Sequence, residues 1–341
     1  MNPKNQKRGM TRRDFIHFTG MSVATAFMPE SLKIWPLQVS QKAVPPRKKV
    51  LNPYTINGRP MLVIVNGEDI EVMLKKAFGA LGGLEKIAKG YQDALLKPNF
   101  VFPAIYPEIT SGETLKALSM LLRRSGVEKI KIADGGIREM GRSFERTGLK
   151  EFSEQSGVEL IDMNASSRLD VQSEEFALLK SMQVFEPAYK ASLLINVPTL
   201  KNHHAASLTC ALKNGVGCIP RDHRIRLHRL TENEYDPAKT ADFKKGIAEV
   251  ACACQADLHI IDAREILVGS QHISYGGEVK KAGMLIVSAD PVAADHYAAK
   301  IMAQHNPKFV VESVMTTLKR AEELGLGTAN LDRVNLIKLE A

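Results

Sequence analysis

The densest concentration of reactive side chains lies between Asn196 and Arg229, where four of the nine histidines fall among several cations. The stretch opens Asn196-Val197-Pro198-Thr199-Leu200-Lys201-Asn202-His203-His204, continues Ala211-Leu212-Lys213-Asn214-Gly215-Val216-Gly217 and reaches Arg221-Asp222-His223-Arg224. Ammonium and guanidinium groups hold carboxylates and phosphates through charge-assisted hydrogen bonds, so Lys201, Lys213 and Arg221 point to an anionic ligand. Imidazoles titrate near neutrality and move protons or ligate metals, which makes His203 and His223 the acid/base candidates. Lysines beside apolar strand and helix ends are costly unless an anion meets them. On that ground Lys201, His203, Lys213 and Asn214 are read as functional. The arginines Arg221, Arg224, Arg226 and Arg229 are spaced like a solvated basic loop, and the run after residue 223 is given no chemistry.

Such side chains act together only if the chain delivers them to one edge. Apolar strand-like runs alternate with amphipathic helical ones. Strands are predicted over 61–65, 93–97, 129–133, 158–163, 192–197, 258–262, 283–288 and 334–339. Helices are predicted over 68–81, 112–124, 149–156, 242–255, 290–304 and 309–324. This alternation predicts an α/β fold, a mostly parallel sheet with helices on both faces, Rossmann-like and doubly wound. Ligands of open α/β sheets bind outside the carboxyl ends of the strands. There the sequence places Lys97 before Pro98-Asn99, Asp134 before Gly135-Gly136, Asn196 before Val197-Pro198, and Asp290 after 283–288. Glycine pairs let backbone N–H groups approach an anion. Lys97 therefore joins Lys201, Lys213 and Asn214 as an anion-binding candidate, and Asp134 joins His203 and His223 as a catalytic one. Asp290-Pro291 reads as a cap with proline in the first helical turn. A divalent transition metal would draw on His203, His223 and Asp295, donors that suit zinc, iron, manganese or nickel, although no pair has the i, i+4 spacing of a strong motif. His259 is read as a satisfied strand histidine.

Four cysteines offer no metal site by spacing. Cys252 and Cys254 fall two apart in a helical pattern and point about 200° apart around its axis. Cys210 and Cys218 stand across a glycine turn, where a disulfide in an oxidising envelope and a pair of small buried thiols are both open. Without a ferredoxin-like run of cysteines, no iron–sulfur cluster is expected.

With 44% hydrophobic and 25% charged residues in 341, the chain has globular proportions, which exclude a disordered or collagenous protein. The net charge of +8 is largely a property of the leader: from residue 44 on, 39 basic side chains face 36 acidic ones. That balance, without aromatic-interleaved basic stretches, argues against a nucleic-acid partner. Thr11-Arg12-Arg13-Asp14-Phe15-Ile16-His17 resembles the twin-arginine export motif. The apolar stretch from Phe15 to Met28 is broken by His17, Thr19, Gly20, Ser22 and Thr25, too short and polar for a lasting membrane span. Cleavage is expected after Ala24-Thr25-Ala26 or near Ala43. The reading divides the chain into a signal segment over 1–43, a tether over 44–60 and a single α/β domain over 61–341. It places the protein in the periplasm, with the twin-arginine translocase as its partner during export.

Beyond these residue-level signals, three runs resemble the family called domain of unknown function 362. They are Leu96-Lys97-Pro98-Asn99, Ile195-Asn196-Val197-Pro198-Thr199-Leu200-Lys201-Asn202-His203 and Ala211-Leu212-Lys213-Asn214-Gly215-Val216-Gly217. Asp290-Pro291-Val292-Ala293-Ala294-Asp295 matches the late motif of the same family. The resemblance spans about residues 93–305 and implies no particular reaction. Many relatives carry an iron–sulfur module whose cysteines this chain lacks. The residues point first to an exported enzyme acting on a small anionic substrate through a Lys/His/Asp pocket. The alternative is a periplasmic maturation factor that holds a ligand, metal or client without catalysis.

Overall fold

The structure, a computed structural model, describes residues 43–341 apart from 50, 138, 139, 234, 235, 237 and 238. The twin-arginine motif lies outside the described residues. Thirteen strands are formed among them: β1 Thr55–Ile56, β2 Arg59–Asn66, β3 Asp93–Pro98, β4 Lys129–Asp134, β5 Glu159–Asp162, β6 Arg168–Gln172, β7 Ser181–Phe185, β8 Leu193–Val197, β9 Thr199–His203, β10 Ser207–Thr209, β11 Leu258–Val268, β12 Glu278–Ser288 and β13 Asn335–Glu340.

The main sheet runs β5-β4-β3-β8-β11-β12-β2, with β13 added on β2. All of these strands share one direction except β12, which is antiparallel to both its neighbours. The α/β reading and the mostly parallel sheet are therefore what the chain forms. Buried on both faces, strands such as β3 and β8 read as continuous apolar runs. Alternate side chains divide between two cores. Leu62, Ile64, Leu95, Leu194 and Ile261 face one, and Val63, Val65, Leu96, Ile195 and Ile260 face the other. Helices 241–253, 291–305 and 315–323 cover the first face, and helices 70–81 and 112–124 the second.

Local signals set the helix starts. Ser111 accepts from the Thr114 N–H, and Asp290 accepts from Val292 and Ala293 at 3.0 and 2.9 Å, with Pro291 in the first turn. The strands predicted over 258–262 and 283–288 are longer than expected. Their charged halves, around Arg264-Glu265 and Lys280-Lys281, extend as an antiparallel arm with a register shift between Ala263 and Glu265. Charged residues hid this arm from a reading based on apolar periodicity, although Ile266, Leu267 and Val268 on its β11 side are buried.

The segment 44–60, expected as a tether, makes specific contacts with the rest of the chain. Val44 bridges to Val171 and Arg47 to Cys254. The Arg47 guanidinium, 7% exposed, meets Asp257 at 2.7 and 3.2 Å and donates to the Ala191 carbonyl. Tyr54 is fully buried. A buried carboxylate thus holds the first cation of Arg47-Lys48-Lys49.

Candidate functional site

Register brings the strand-end residues into one row. Lys97 on β3 lies opposite Asn196 on β8, and Asn196 lies opposite His259 on β11. Beside this row β4 ends at Asp134, whose Oδ1 accepts from Lys97 Nζ at 2.8 Å and from the Gly135 N–H. Its other oxygen accepts from the Phe100 N–H at 2.7 Å. Lys97 also donates to the Pro98 carbonyl. The pair is almost wholly buried, at 2% and 3% exposure. Gly217 presses on it: a Cβ there would stand 2.3 Å from Asp134 and 2.6 Å from Lys97. Only a residue without a side chain lets the turn after Asn214 lie this close.

Three asparagines lock the same corner. Asn214 Nδ2 donates to Asn196 Oδ1 at 2.7 Å and to the Pro98 and Lys97 carbonyls, while its Oδ1 accepts from Asn99 Nδ2 at 2.9 Å. Asn196 Nδ2 donates to the Ala211 carbonyl. The Asn214 amide is thus engaged on both its nitrogen and its oxygen within the protein. Lys97 is similarly occupied by Asp134.

Lys201 and Lys213 differ from Lys97. Lys201, next on β9 to the core residue Leu200, donates to the Glu108 carbonyl at 2.6 Å, and burial brings its ammonium down to about 8. Lys213, on the one-turn helix Ala211–Asn214, has no hydrogen-bonding or ionic partner among the described residues. Burial, with Lys201, Arg224 and Lys97 repelling it, brings Lys213 down to about 7. Its three positive neighbours thus place it in the same field as the other lysines.

Arg224, assigned to a solvated run by sequence, is the residue that reading missed. It donates through Nε to the Ile219 carbonyl and through Nη1 to the Gly136 carbonyl, while Nη2 is buried without a partner. That nitrogen lies 3.0 Å from where a Gly135 side chain would begin. The Asp134-Gly135-Gly136 run was the available signal, because a glycine turn at a strand end leaves room for a guanidinium. Arg221 and Arg226 are exposed, as the loop reading expected.

The histidines separate. His203 accepts from the Ala206 N–H at Nδ1, so its proton sits on Nε2. Burial and the cations Lys213 and Lys201, together with His228, hold it well below its ordinary range, in the neutral form. Its ring stands 6.5 Å from His228 and 6.4 Å from Phe243. His228 is pushed down to about 4, chiefly by burial. His223 is elsewhere, on helix 221–228, where it accepts from Gln183 N–H at 3.4 Å and lies 3.7 Å from Asp222. Its electrostatic neighbours are Asp222, Arg226, Arg168 and Asp170 rather than the lysine cluster.

The ligand set His203, His223 and Asp295 is likewise not brought together. Asp295 accepts from the Ala211 and Leu212 N–H groups at 2.7 and 3.0 Å, capping the helix that carries Lys213. Among the described residues no three His, Cys, Asp or Glu side chains gather as a metal site. His259 is not satisfied as expected. Asn196 meets its Nδ1 at 3.1 Å, but Nε2 is buried without a partner. The cysteines are free and buried, so no disulfide joins Cys210 to Cys218. No helix among the described residues is long and apolar enough to cross a membrane.

Residues 94–300 match the family described as domain of unknown function (DUF362). A thylakoid-associated protein of Synechocystis sp. is 24% identical over 256 residues, 74% of each chain. Among solved structures, the lactate racemase apoprotein of Thermoanaerobacterium thermosaccharolyticum superposes with a TM-score of 0.45 at 12% identity, over 75% of this chain and 60% of that one. A Thermotoga maritima protein gives 0.39 at 9% identity, over 74% and 59%. The chain thus spans about three fifths of the length of these two structures.

Proposed function

The chain belongs to the DUF362 family, whose name assigns no reaction, and we propose that it is an enzyme acting on a small carboxylate or phosphate held beside Lys213. The observation that carries this reading is Lys213 itself: a half-buried cation with no acceptor among the described residues, in the field of Lys201, Arg224 and Lys97. No counter-ion among the described residues meets this charge, and a ligand anion would supply one. The unpartnered Nη2 of Arg224 supports the same site. In this reading Lys213 and Arg224 bind the anion, Lys201 adds field from the Glu108 side, and neutral His203 donates from Nε2. Lys97 and Asp134 hold the strand ends in place. Catalysis rather than holding alone is supported by Lys213, since an amine brought to about 7 exchanges its proton at neutral pH.

The test is calorimetric titration of the purified protein with inorganic phosphate and with oxalate. Lys213→Met keeps the apolar stem and should weaken binding about tenfold to a hundredfold, the worth of one charge-assisted hydrogen bond. Failure of both probes to bind, or equal affinity in Lys213→Met, would overturn the anion site. We further propose export by the twin-arginine route, supported by Thr11–His17. An Arg12→Lys/Arg13→Lys double variant should stay in the cytoplasm, and its normal periplasmic accumulation would remove the proposal.

A further inference from the structure

Cys218 and Cys254 come from separate elements and meet at a narrow cavity they share with Lys97, Asn196 and His259. Cys218 closes the 3-10 turn Gly215–Cys218, directly after Lys213 and Asn214. Cys254 follows helix 241–253 and is bridged through its backbone to Arg47. Each thiol has the other as its side-chain hydrogen-bonding partner. That bond, with Lys97 and Arg224 nearby, draws Cys218 below its ordinary range despite burial, while Cys254 is held well above it. The other two cysteines lack this arrangement. Burial and Asp295 push Cys210 far up, and burial raises Cys252 to about 11. Into the same cavity His259 brings a buried Nε2 with no partner. Because Asn196 Nδ2 donates to Nδ1, that nitrogen carries its proton and is an unused donor.

We propose that Cys218 and Cys254 form a dithiol that hydrogen peroxide oxidises to a disulfide, with Cys218 attacking and Cys254 resolving. The Cys218 thiolate attacks one peroxide oxygen. The S–O bond forms, the O–O bond breaks, and the departing hydroxide takes the proton lost by Cys218 and leaves as water. His259 Nε2–H is the donor available to that departing oxygen. The Cys254 sulfur then attacks the sulfenic sulfur. The S–S bond forms, the S–O bond breaks, and the oxygen leaves as water with the Cys254 proton. Two thiols lose two electrons and two protons, and one peroxide becomes two waters. Closure ties the turn following Lys213 to the end of helix 241–253. The inference does not depend on the anion reading.

The test treats the reduced full-length protein with one equivalent of hydrogen peroxide at neutral pH, then alkylates it under denaturing conditions and measures intact mass. Two of the four thiols should be lost, and peptide mapping should recover a Cys218–Cys254 link. Cys210→Ser and Cys252→Ser should behave as wild type, whereas Cys254→Ser should leave a sulfenic acid on Cys218 that dimedone traps. Retention of all four thiols in the wild type, a link between other cysteines, or direct passage of Cys218 to sulfinic acid would each overturn the proposal. The wild-type measurement decides the matter even if a serine variant fails to fold.

Discussion

Lys97 and Lys213 arise from two lysine–asparagine motifs and end in one electrostatic field, but they meet opposite fates. Lys97 is 2% exposed and has Asp134 at 2.8 Å, the Pro98 carbonyl, and a glycine turn packed over both partners. Lys213 has cations for neighbours and no acceptor among the described residues. The first arrangement is scaffold: a buried charge already neutralised has little left to offer a ligand. In the second, the energy of an unpaired charge is available to whatever anion enters. The proposed anion site rests on this contrast, which can be broken at either end.

The largest effect is expected at the scaffold. Asp134→Ala leaves Lys97 buried and unpaired and should cost about 3–5 kcal/mol of unfolding free energy in urea titration. A loss under about 1 kcal/mol would mean that Lys97 finds water, and the distinction between the two lysines would collapse. Asn214→Ala should follow, at about 1–3 kcal/mol, because it strands the Asn99 amide and the strand-end carbonyls without altering charge. A large change in phosphate affinity with intact stability would instead return Asn214 to the ligand site.

Lys213→Met should behave in the reverse sense, and pH gives the sign. The folded amine is lowered to about 7 from 10.5, so between those values the unfolded chain binds more protons and stability rises with pH. Below about 7 both states are charged and the full cost of burial is present. The variant should therefore be more stable than wild type at pH 6, and the advantage should vanish as pH approaches 10. Chemical denaturation at several pH values checks this, and a variant destabilised at pH 6 would show that Lys213 has a structural partner. Oxalate affinity has its own pH signature. Binding requires the ammonium, so affinity should be flat below about 7 and fall above it by no more than about tenfold per unit. Proton uptake, read from titrations in buffers of different ionisation enthalpy, should accompany binding on the alkaline side. Smallest of all, Arg226→Ala on the exposed face of helix 221–228 should change stability by less than about 0.5 kcal/mol and leave affinity unaltered. Arg224→Met, two residues away, should weaken anion binding. Equal behaviour of the two arginines would return Arg224 to the solvated run.

What the sequence by itself determined is what depends on neighbours along the chain. Helix 112–124 begins after Ser111 and helix 291–305 after Asp290, because each cap reaches only two or three residues ahead. The alternation of apolar runs with helical stretches was sufficient for an α/β sheet covered on both faces, since periodicity records which sides of an element leave water. The row of polar residues at strand ends was visible for the same reason. The partners of those residues were not. Asp134 reaches Lys97 across 37 positions, and Asn214 reaches Asn99 across 115. Arg47 leaves an apparent linker to meet Asp257 across 210. Arg224 and Arg226 are alike by type and spacing, and only the approach of Gly135 and Gly136 from another strand end distinguishes them. Likewise Cys218 shares a cavity with Cys254, which its glycine-turn neighbour Cys210 does not line. Local sequence sets which backbone conformation each residue adopts. Whether a charge is answered depends on which distant element folds against it, and only the assembled sheet decided that Lys97 has a counter-ion while Lys213 has none among the described residues.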